Sequence, residues 1–250
     1  NVEFLRRRAG LALPVTALNS RSGFGVGDVR ALEAFFPWMA EAGFTVLQLL
    51  PLGDLGPGDS CPYAGLSALA LDALTLVDPL GVPELRGRAV VDGALREAER
   101  LRRARRVPFE AARALKRRLL EGAFDSFERS ADGARREAFG RFCGANADWL
   151  SDYALFRALK EENAWAPWGA WPEGLRERRP DAVAAARIRL ARHARFHEWL
   201  QWTAHAQWGR AREAAARHGI LLFGDLTFGI ARESSDVWSR REDFDFSANM

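Results

Sequence analysis

An aspartate interrupts an apolar run near the end of the chain. The run reads ILLFGDLTF from Ile220 to Phe228, and Asp225 stands where the apolar character should continue. Parallel α/β proteins collect their chemistry at the C-terminal ends of the strands, so a carboxylate that ends an apolar strand is placed like an active-site group. We therefore predict a functional role for Asp225. A helix cap, or a structural carboxylate that accepts backbone N–H bonds, is the alternative.

A second apolar run, FTVLQLLPL, is interrupted by Gln48 and leads into a polar loop, LGDLGPGDSCPYAG. The loop holds Asp54, Asp59, Ser60 and Tyr63. We expect the two strand ends to direct polar groups toward one rim. Pro62 presents Tyr63 rigidly, and a phenol held in this way could stack on a sugar ring or form a hydrogen bond with it. Covering the rim is the structural alternative for this tyrosine.

The elements that position these residues follow from the apolar pattern. GLALPV, from Gly10 to Val15, predicts a strand. Apolar residues at helical spacing predict a helix over 29–42, with Asp28 as its N-cap and Pro37 as a site that kinks or shortens it. A helix between two continuously apolar strands is typical of a parallel sheet that is covered on both faces.

The middle of the chain differs in composition. Residues 80–150 are rich in Arg, Ala and Glu and predict a helical insertion subdomain. An amphipathic helix over 152–162 and one long helix over roughly 181–218 follow. We therefore predict an α/β fold, an interrupted (β/α)8 TIM-like barrel of which the chain holds only the first part. The predicted divisions are strands 1 and 2 with their loops (1–79), the insertion (80–150), and the return to helices and strand 3 (151–250).

Composition limits the class of protein. The 250 residues are 48% hydrophobic and 28% charged, which is ordinary for a soluble globular protein, and the net charge of +3 is weak evidence for a nucleic-acid partner. Cys61 and Cys143 form no metal-binding or disulfide pattern. The sequence offers no membrane span and no apolar signal core, so we expect a cytoplasmic protein without a membrane partner. The start at Asn1 and the end at Met250 suggest a fragment.

Several patterns suggest other chemistry. Gly23, Gly25 and Gly27 do not have the spacing of a dinucleotide-binding loop, G-x-G-x-x-G. His193, His197 and His205 share a helix and could face a metal, but no further ligands are assigned to them.

Clusters of arginine and tryptophan leave two more alternatives open. The arginine runs, including Arg96–Arg106, read as solvated helix faces rather than as a phosphate or RNA site. The tryptophans between Trp165 and Trp171 could form a platform that stacks on sugars. Three others have the helical spacing of core residues, namely Trp199, Trp202 and Trp208.

Five ordered motifs resemble the amylomaltase family, which are 4-α-glucanotransferases, also called disproportionating enzymes. The motifs are GFGVGD; LQLLPLGDLGPGDSCPYAGLSALALD; WLSDYALFRALKEE with PWGAWP; HEWLQWTAHAQW; and HGILLFGDLTFGIARESSDVW. The resemblance covers most of the chain outside roughly residues 85–139. It implies an interrupted (β/α)8 barrel that moves segments of α-1,4-glucan between maltooligosaccharides by a retaining double displacement. It implies no metal and no organic cofactor.

The resemblance also implies roles for individual residues. The tyrosine of the family's Ser-Pro-Tyr motif packs on the sugar at the cleavage subsite and corresponds to Tyr63, while the serine of that motif is Cys61 here. A hydrogen bond from that serine is therefore weakened or passes to Ser60. The family's sugar-binding aspartate after the third strand corresponds to Asp225, and the usual Asp-Met-Pro-Ile reads Asp-Leu-Thr-Phe here, without the proline. We expect Tyr63 and Asp225 to meet around one glucose unit.

The family's nucleophilic aspartate, acid/base glutamate and third aspartate follow on later strands. We therefore expect no catalytic residue within residues 1–250, and we expect a missing C-terminal half of the barrel as a partner. The expected ligands are maltooligosaccharides or other α-1,4-glucans. The competing hypotheses are a noncatalytic glucan-binding module, a related α-glucan hydrolase, and a nucleic-acid adaptor built on the basic helices around 96–118.

Overall fold

The structure is a computed structural model that describes residues 7–59 and 61–245. Within them the chain divides into two compact units. Unit 1 comprises the described parts of Asn1–Leu52, Asp72–Ala123 and Thr203–Leu226, and unit 2 the described parts of Gly53–Leu71, Phe124–Trp202 and Thr227–Met250. None of the helices in these described parts is both long and apolar enough to span a membrane.

Unit 1 contains a parallel sheet of three strands. The strands are β1 (Gly10–Leu13), β2 (Val46–Leu49) and β3 (Leu221–Phe223), and their order in the sheet is β1-β2-β3. Gly10 pairs with Val46 in the first ladder, and Val46 pairs with Leu221 in the second. The predicted α/β class with parallel strands is confirmed, since each strand lies within its predicted apolar run. The eight-stranded barrel stays a prediction.

Helix α1 (Val29–Glu41) connects β1 and β2. The Asp28 side chain accepts a hydrogen bond from the Ala31 N–H at 3.1 Å, which confirms the predicted N-cap. Pro37 lies inside the helix, which continues to Glu41, so the proline does not shorten it, and the alternative of a kink stays a prediction. One face of α1 is buried in unit 1, with Leu32, Phe36 and Met39 wholly inaccessible to solvent.

Further helices follow α1 in the described residues. They are α2 (Ala73–Leu76), α3 (Ala89–Arg102), α4 (Phe109–Ser130), α5 (Gly133–Ala145), α6 (Leu150–Glu162), α7 (Glu173–Arg176), α8 (Pro180–Arg189), α9 (Ala191–Arg217) and α10 (Ser235–Ser239). Short 3-10 turns cover Val15–Ala17, Pro79–Gly81, Pro83–Leu85, Trp168–Ala170 and Arg241–Asp243. The helical content predicted for 80–150 is therefore found, while the assignment of that segment to an insertion subdomain, like the other two divisions, stays a prediction.

The predicted single helix over 181–218 is wrong in one respect. It is two helices, α8 and α9, separated at Leu190, whose N–H donates to the Ala186 carbonyl while its own carbonyl accepts the Ala194 N–H. Leu190 is buried in the apolar cluster of unit 2. Leu190 thus continues the buried face of α8, since Val183 and Ala186, seven and four residues earlier, pack in the same cluster.

The core of unit 2 is built around α6 and α10. Leu155, Phe156 and Leu159 of α6 pack in one cluster with Trp238 of α10. The Trp238 indole N–H donates to the Leu175 carbonyl at 2.9 Å, so the polar edge of this buried ring is satisfied. The cluster fixes α6, which supplies the polar side chains described next.

Candidate functional site

Asp225 follows the end of β3 by two residues. Its side chain is half-buried, and the strand before it belongs to a parallel sheet, so the carboxylate lies beyond a C-terminal strand end as predicted. The next helix along the chain, α10, begins at Ser235 and takes Ser234 as its cap, so Asp225 is not a helix cap. A structural role through backbone N–H groups stays an alternative, and its sugar-binding role stays a prediction.

The loop that holds Tyr63 contains a tight turn. The Ala64 N–H donates to the Cys61 carbonyl at 3.1 Å, so the four residues CPYA form a hydrogen-bonded turn with Pro62 at its second position. The Tyr63 side chain is 46% exposed and Cys61 is exposed as well. Ser60, the other residue predicted to contact the sugar, lies outside the described residues. The turn explains how a proline can hold a phenol at a surface.

The two ends of this loop are joined at its base. Gly53 and Leu71 form an antiparallel bridge, and the Asp54 N–H donates to the Ala70 carbonyl at 3.0 Å. The Asp54 carbonyl accepts the Leu66 N–H at 2.7 Å. Because these bonds close the base within unit 2, the segment between them is a short loop with a defined start and end.

The Asp54 side chain corrects one expectation. It does not line a rim: it is 3% exposed, and its Oδ2 atom accepts a hydrogen bond from the Tyr153 hydroxyl at 2.8 Å. Arg157 forms an ion pair with the same oxygen, with Nε at 3.0 Å. A carboxylate buried this deeply requires such partners, so Asp54 anchors the loop instead of facing a ligand.

Gln201 of α9 extends this network inside unit 2. Its Nε2 atom donates to the Tyr153 hydroxyl at 3.2 Å and to the Leu71 carbonyl at 2.8 Å, and its Oε1 atom accepts the Leu71 N–H at 2.9 Å. The buried amide therefore satisfies the backbone of Leu71 on both sides. One polar network thus connects α9, α6 and both ends of the loop.

The returning half of the loop is held near the start of α10. The Ala68 N–H donates to Oδ2 of Asp236 at 3.0 Å, and the Ser235 N–H donates to the Leu66 carbonyl at 2.8 Å. Lys160 of α6 is buried and contacts Oε2 of Glu233 at 2.6 Å, which holds the chain just before α10. The base of the loop is therefore attached to α6, α9 and α10 within unit 2.

The tryptophans after α6 are mostly core residues. Trp168 and Trp171 are buried in the apolar cluster of unit 2, and the Trp168 indole N–H donates to the Arg232 carbonyl at 2.7 Å. A sugar-stacking platform built from these two rings is therefore wrong, because buried faces cannot receive a ligand. Trp165 is half-buried and lies under the guanidinium of Arg157. Trp199, in α9, is wholly buried, as its helical spacing predicts.

A buried lysine is the most unusual charge in unit 1. Lys116 of α4 is wholly inaccessible to solvent, donates a hydrogen bond to the Thr75 carbonyl, and has its Nζ atom 3.8 Å from Oδ2 of Asp28. Burial lowers the pKa of Lys116, which Asp28 partly opposes. Burial raises the pKa of Asp28, with Lys116 acting against that rise.

Two further carboxylates of unit 1 combine capping with ion pairing. Asp72 accepts the Thr75 N–H at the start of α2 and pairs with Nη2 of Arg113 at 2.6 Å. Asp78 accepts the Leu80 N–H at 3.0 Å and lies 3.6 Å from Nη1 of Arg30. Buried charges occur at functional sites as well as in structural ion pairs. Here each carboxylate caps an element, which favours the structural role.

Two pairs of polar residues were not predicted from the sequence, namely Arg113 with Lys116 and Tyr153 with Arg157. A signal existed for both pairs: the spacings i, i+3 on α4 and i, i+4 on α6 place each pair on one helix face. The acidic partners lie far away along the chain, since Asp54 and Tyr153 are 99 positions apart. Spacing on one helix therefore indicated a face but not what it contacts.

The histidines do not share a metal environment in the described part of the chain. His193 is exposed, and Nε2 of the buried His197 lies 3.3 Å from Oε1 of Glu161. Burial lowers the pKa of the half-buried His205. Residues 7–59 and 61–245 contain no group of three or more His, Cys, Asp or Glu side chains placed to hold a metal ion.

The arginine run over 96–106 is largely a solvated surface. Arg96 and Arg100 are exposed, and Arg103 pairs with Glu99 one turn earlier at 2.5 Å. Arg102 instead donates to the Gly23 carbonyl at 2.8 Å, so it holds a loop of unit 1. These contacts agree with the interpretation of the run as a helix face.

The fold and the strand ends first define a class. The chain is an α/β protein with a parallel sheet, and the segments that follow its second and third strands carry the candidate ligand-contacting side chains. Comparison with known proteins then gives the family. Residues 13–250 match the family model described as 4-alpha-glucanotransferase, so the chain belongs to the 4-alpha-glucanotransferase family, and the resemblance drawn from the motifs is confirmed.

Individual relatives agree with this assignment. The chain is 36% identical over 240 residues to the 4-alpha-glucanotransferase of Thermus thermophilus and 35% identical over 241 residues to that of Synechocystis sp.. Each comparison covers 96% of this chain and 46% of the relative. The chain thus spans about half the length of the curated relatives it matches.

A solved structure has a similar fold. The amylomaltase from Streptococcus agalactiae, in complex with acarbose, superposes with a TM-score of 0.82 at 24% identity. The superposition covers 96% of this chain and 48% of that protein. At this identity the likeness concerns the fold.

Proposed function

We propose that this chain contributes glucan-binding residues to a 4-alpha-glucanotransferase that moves α-1,4-glucan segments between maltooligosaccharides. The observation that carries the proposal is the exposed Tyr63 in a proline turn after β2, in a chain that belongs to this family. An exposed aromatic ring on a fixed turn suits the apolar face of a sugar, because stacking needs an open ring whose orientation is set in advance.

Four residues are the proposed contacts. Tyr63 stacks on the glucan, and Asp225 accepts hydrogen bonds from sugar hydroxyls. The exposed Cys61 is a weaker hydrogen-bond partner than a serine would be, and Ser60 takes over that contact. No residue of this chain is proposed as nucleophile or as acid/base.

For the whole protein we propose a retaining double displacement on a (β/α)8 barrel whose first strands are β1, β2 and β3. In that chemistry one carboxylate attacks the sugar and a second carboxyl first gives and then takes a proton. Transfer requires that an acceptor sugar compete with water for the bound donor, so tight sugar contacts and exclusion of solvent belong to the mechanism.

Product analysis tests the activity. The protein as its gene encodes it is incubated with maltotriose, and the products are separated by chromatography. Glucose together with glucans longer than maltotriose supports transfer. Glucose accompanied only by shorter products identifies a hydrolase and contradicts the proposal, and binding without any turnover identifies a noncatalytic module.

Calorimetric titration with maltoheptaose tests the binding residues. Tyr63→Ala is expected to weaken binding about tenfold, from the ~1.4 kcal/mol of a well-stacked aromatic contact. Asp225→Asn is expected to weaken it about tenfold or more, because hydrogen bonds to a charged group are worth ~1.5–3 kcal/mol. Trp38→Ala is the matched control, since it removes a ring of similar exposure, 51%, from α1. Equal affinities for Tyr63→Ala and Trp38→Ala would contradict the role of Tyr63.

A further inference from the structure

The loop between Gly53 and Leu71 is connected to a buried arginine directly at Asp54 and through a tryptophan at Gly56. Arg157 lies in α6 and is itself buried. Its Nε atom pairs with Asp54 at the base of the loop, at 3.0 Å. Its Cζ atom lies 4.7 Å from the centre of the Trp165 ring, within the range of a cation–π contact.

Trp165 carries the second contact to the loop. A Cβ atom added to Gly56 would lie 3.7 Å from Cζ3 of this ring, so the tryptophan lies directly against the loop backbone at Gly56. One planar guanidinium thus connects with Asp54 directly and with Gly56 through Trp165. All of these residues belong to unit 2.

The backbone at Trp165 is held in an uncommon conformation. Ala164 and Trp165 have φ values of 49° and 63°, in the left-handed region that residues other than glycine rarely adopt. The Trp165 N–H donates to the Lys160 carbonyl at 2.7 Å, which closes the end of α6. Such a conformation persists where surrounding contacts fix it, and it directs the indole toward Arg157 and Gly56.

We propose that Arg157 is a positioning residue that fixes the loop on which Tyr63 is presented, and so sets the affinity for the glucan. The part of this inference that concerns glucan affinity rests on the proposed function. The part that concerns the position of the loop rests only on the contacts of Arg157. Arg157 holds the segment before the CPYA turn, and the hydrogen bond between Ala64 and Cys61 holds the turn itself. When both contacts are present, the position of the Tyr63 ring is set before any ligand binds.

Arginine is specifically suited to this position. Its planar fork can pair with a carboxylate and stack on an aromatic ring at the same time, whereas a lysine supplies only a flexible point charge. Removing the guanidinium leaves the Asp54 carboxylate buried without this cation, although the Tyr153 hydroxyl still donates to it, and frees the Trp165 face. We expect the segment from Asp54 to Cys61 to loosen while the cluster around α6 and α10 stays packed.

The first test measures the loop without any sugar. In Arg157→Met, hydrogen–deuterium exchange is expected to accelerate at the Asp54 and Leu66 amides, whose bonds close the base. The amide of Trp238, inside the core cluster, serves as the internal reference. Arg135→Met is the matched control, because it removes a guanidinium whose Cζ lies 4.8 Å from the centre of another tryptophan ring, that of Trp202 in α9.

The second test measures the glucan. Arg157→Met is expected to raise the maltoheptaose dissociation constant on the order of tenfold, as misplacement of a positioned group does, and Arg157→Lys to raise it less. In a Tyr63→Ala background the same Arg157→Met change is expected to have little further effect, since Arg157 acts through the tyrosine.

The outcomes separate the two proposals. If Tyr63→Ala leaves affinity unchanged, the proposed function of Tyr63 fails, while faster exchange in Arg157→Met still supports the control of the loop. If Tyr63→Ala weakens binding but Arg157→Met changes neither exchange nor affinity, the positioning role is overturned. An Arg157→Met effect that is fully additive with Tyr63→Ala also overturns it. Should Arg157→Met not fold, Arg157→Lys and Asp54→Asn are measured in the same way, and the same results support or overturn the positioning role.

Discussion

The two units bury charge in different ways. In unit 1, Asp28, Asp72 and Asp78 each accept a backbone N–H at the start of a helix or turn. The two basic groups among them, Lys116 and Arg113, come from one helix, α4. Among the described residues of unit 2, the one buried carboxylate, Asp54, is held by α6 and closes a loop instead of capping a helix.

The difference separates stabilisation of a core from presentation of a surface. In unit 1 the buried carboxylates cap the starts of helices and turns and pair with basic groups, so the loss of these charges is expected to lower stability. In unit 2 the buried charges hold a loop whose exposed tip carries Tyr63. Their loss is therefore expected to change the conformation of the tip as well as the stability. The buried basic side chains of the two units differ too. Lys116 can release its proton within an accessible pH range, whereas Arg157 remains charged.

Replacing the buried lysine is expected to have the largest effect on stability. Lys116→Met keeps a side chain of similar length but leaves Asp28 buried without its cation and the Thr75 carbonyl without its donor. We expect a loss of about 3–5 kcal/mol in the free energy of unfolding, measured by urea denaturation. Arg117→Met, which removes a more exposed i, i+4 partner of Glu121 from the same helix, should cost less than ~0.5 kcal/mol. Similar losses in the two variants would show that the cluster of unit 1 is not stabilising.

Removing one hydroxyl from the network of unit 2 is expected to cost less. Tyr153→Phe deletes the donor to Asp54, which retains Arg157, so we expect a loss of about 1–2 kcal/mol in the same denaturation experiment. The chain has two tyrosines, and Tyr63→Phe is the control, with an expected change below ~0.5 kcal/mol because its side chain is 46% exposed. Equal effects would mean that the Tyr153 hydroxyl does not support Asp54.

The pH dependence of stability is a smaller effect that distinguishes the two buried basic side chains, Lys116 and Arg157. Burial lowers the pKa of Lys116 from 10.5, so the unfolded state binds this proton more tightly than the folded state. The resulting cost is present below the lowered pKa and disappears as the pH rises toward 10.5, so wild type should gain stability relative to Lys116→Met over that range. The difference between wild type and Arg157→Met should stay flat there, because the guanidinium keeps its proton. A flat Lys116 curve would contradict the lowered pKa.

The last prediction concerns the reactivity of the two cysteine thiols and not the stability of the protein. Iodoacetamide at neutral pH should modify the exposed Cys61 before Cys143, measured by mass spectrometry of peptides. Burial, with the charge of Glu198, raises the pKa of the Cys143 thiol to about 11, which reduces its reactive thiolate fraction. Maltoheptaose should slow the modification of Cys61 alone if the loop binds glucan. Equal protection of both cysteines would argue against a contact at the loop.

Local sequence patterns were sufficient to predict the three strands and the start of helix α1. Each of the three strands lies inside its predicted apolar run, and Asp28 caps α1 as its type and position indicate. The interruption at Leu190 was not predictable, because the residues on both sides have good helical propensity. The burial of Leu190 does not explain the break, since Ala186, one turn earlier, is buried in the same cluster.

The candidate site was predictable only in part. The proline before Tyr63 indicated a fixed phenol, and the CPYA turn agrees with that indication. Asp54 looked like an equally good ligand-facing residue, because an aspartate in a glycine-rich loop gives no local sign of burial. Trp168 and Trp171 were ambiguous for the same reason, since aromatic residues serve both cores and sugar platforms.

The sequence by itself determined the order of strands and helices, the strand ends that Asp225 and the Tyr63 loop follow, and the family. These features depend on residue type and short-range periodicity, which are local properties. The tertiary structure decided which charges are buried and what they pair with. Asp54 and Tyr153 are 99 residues apart, and Asp72 and Arg113 are 41 apart. Only a folded core brings such groups together and removes the water that would otherwise screen them.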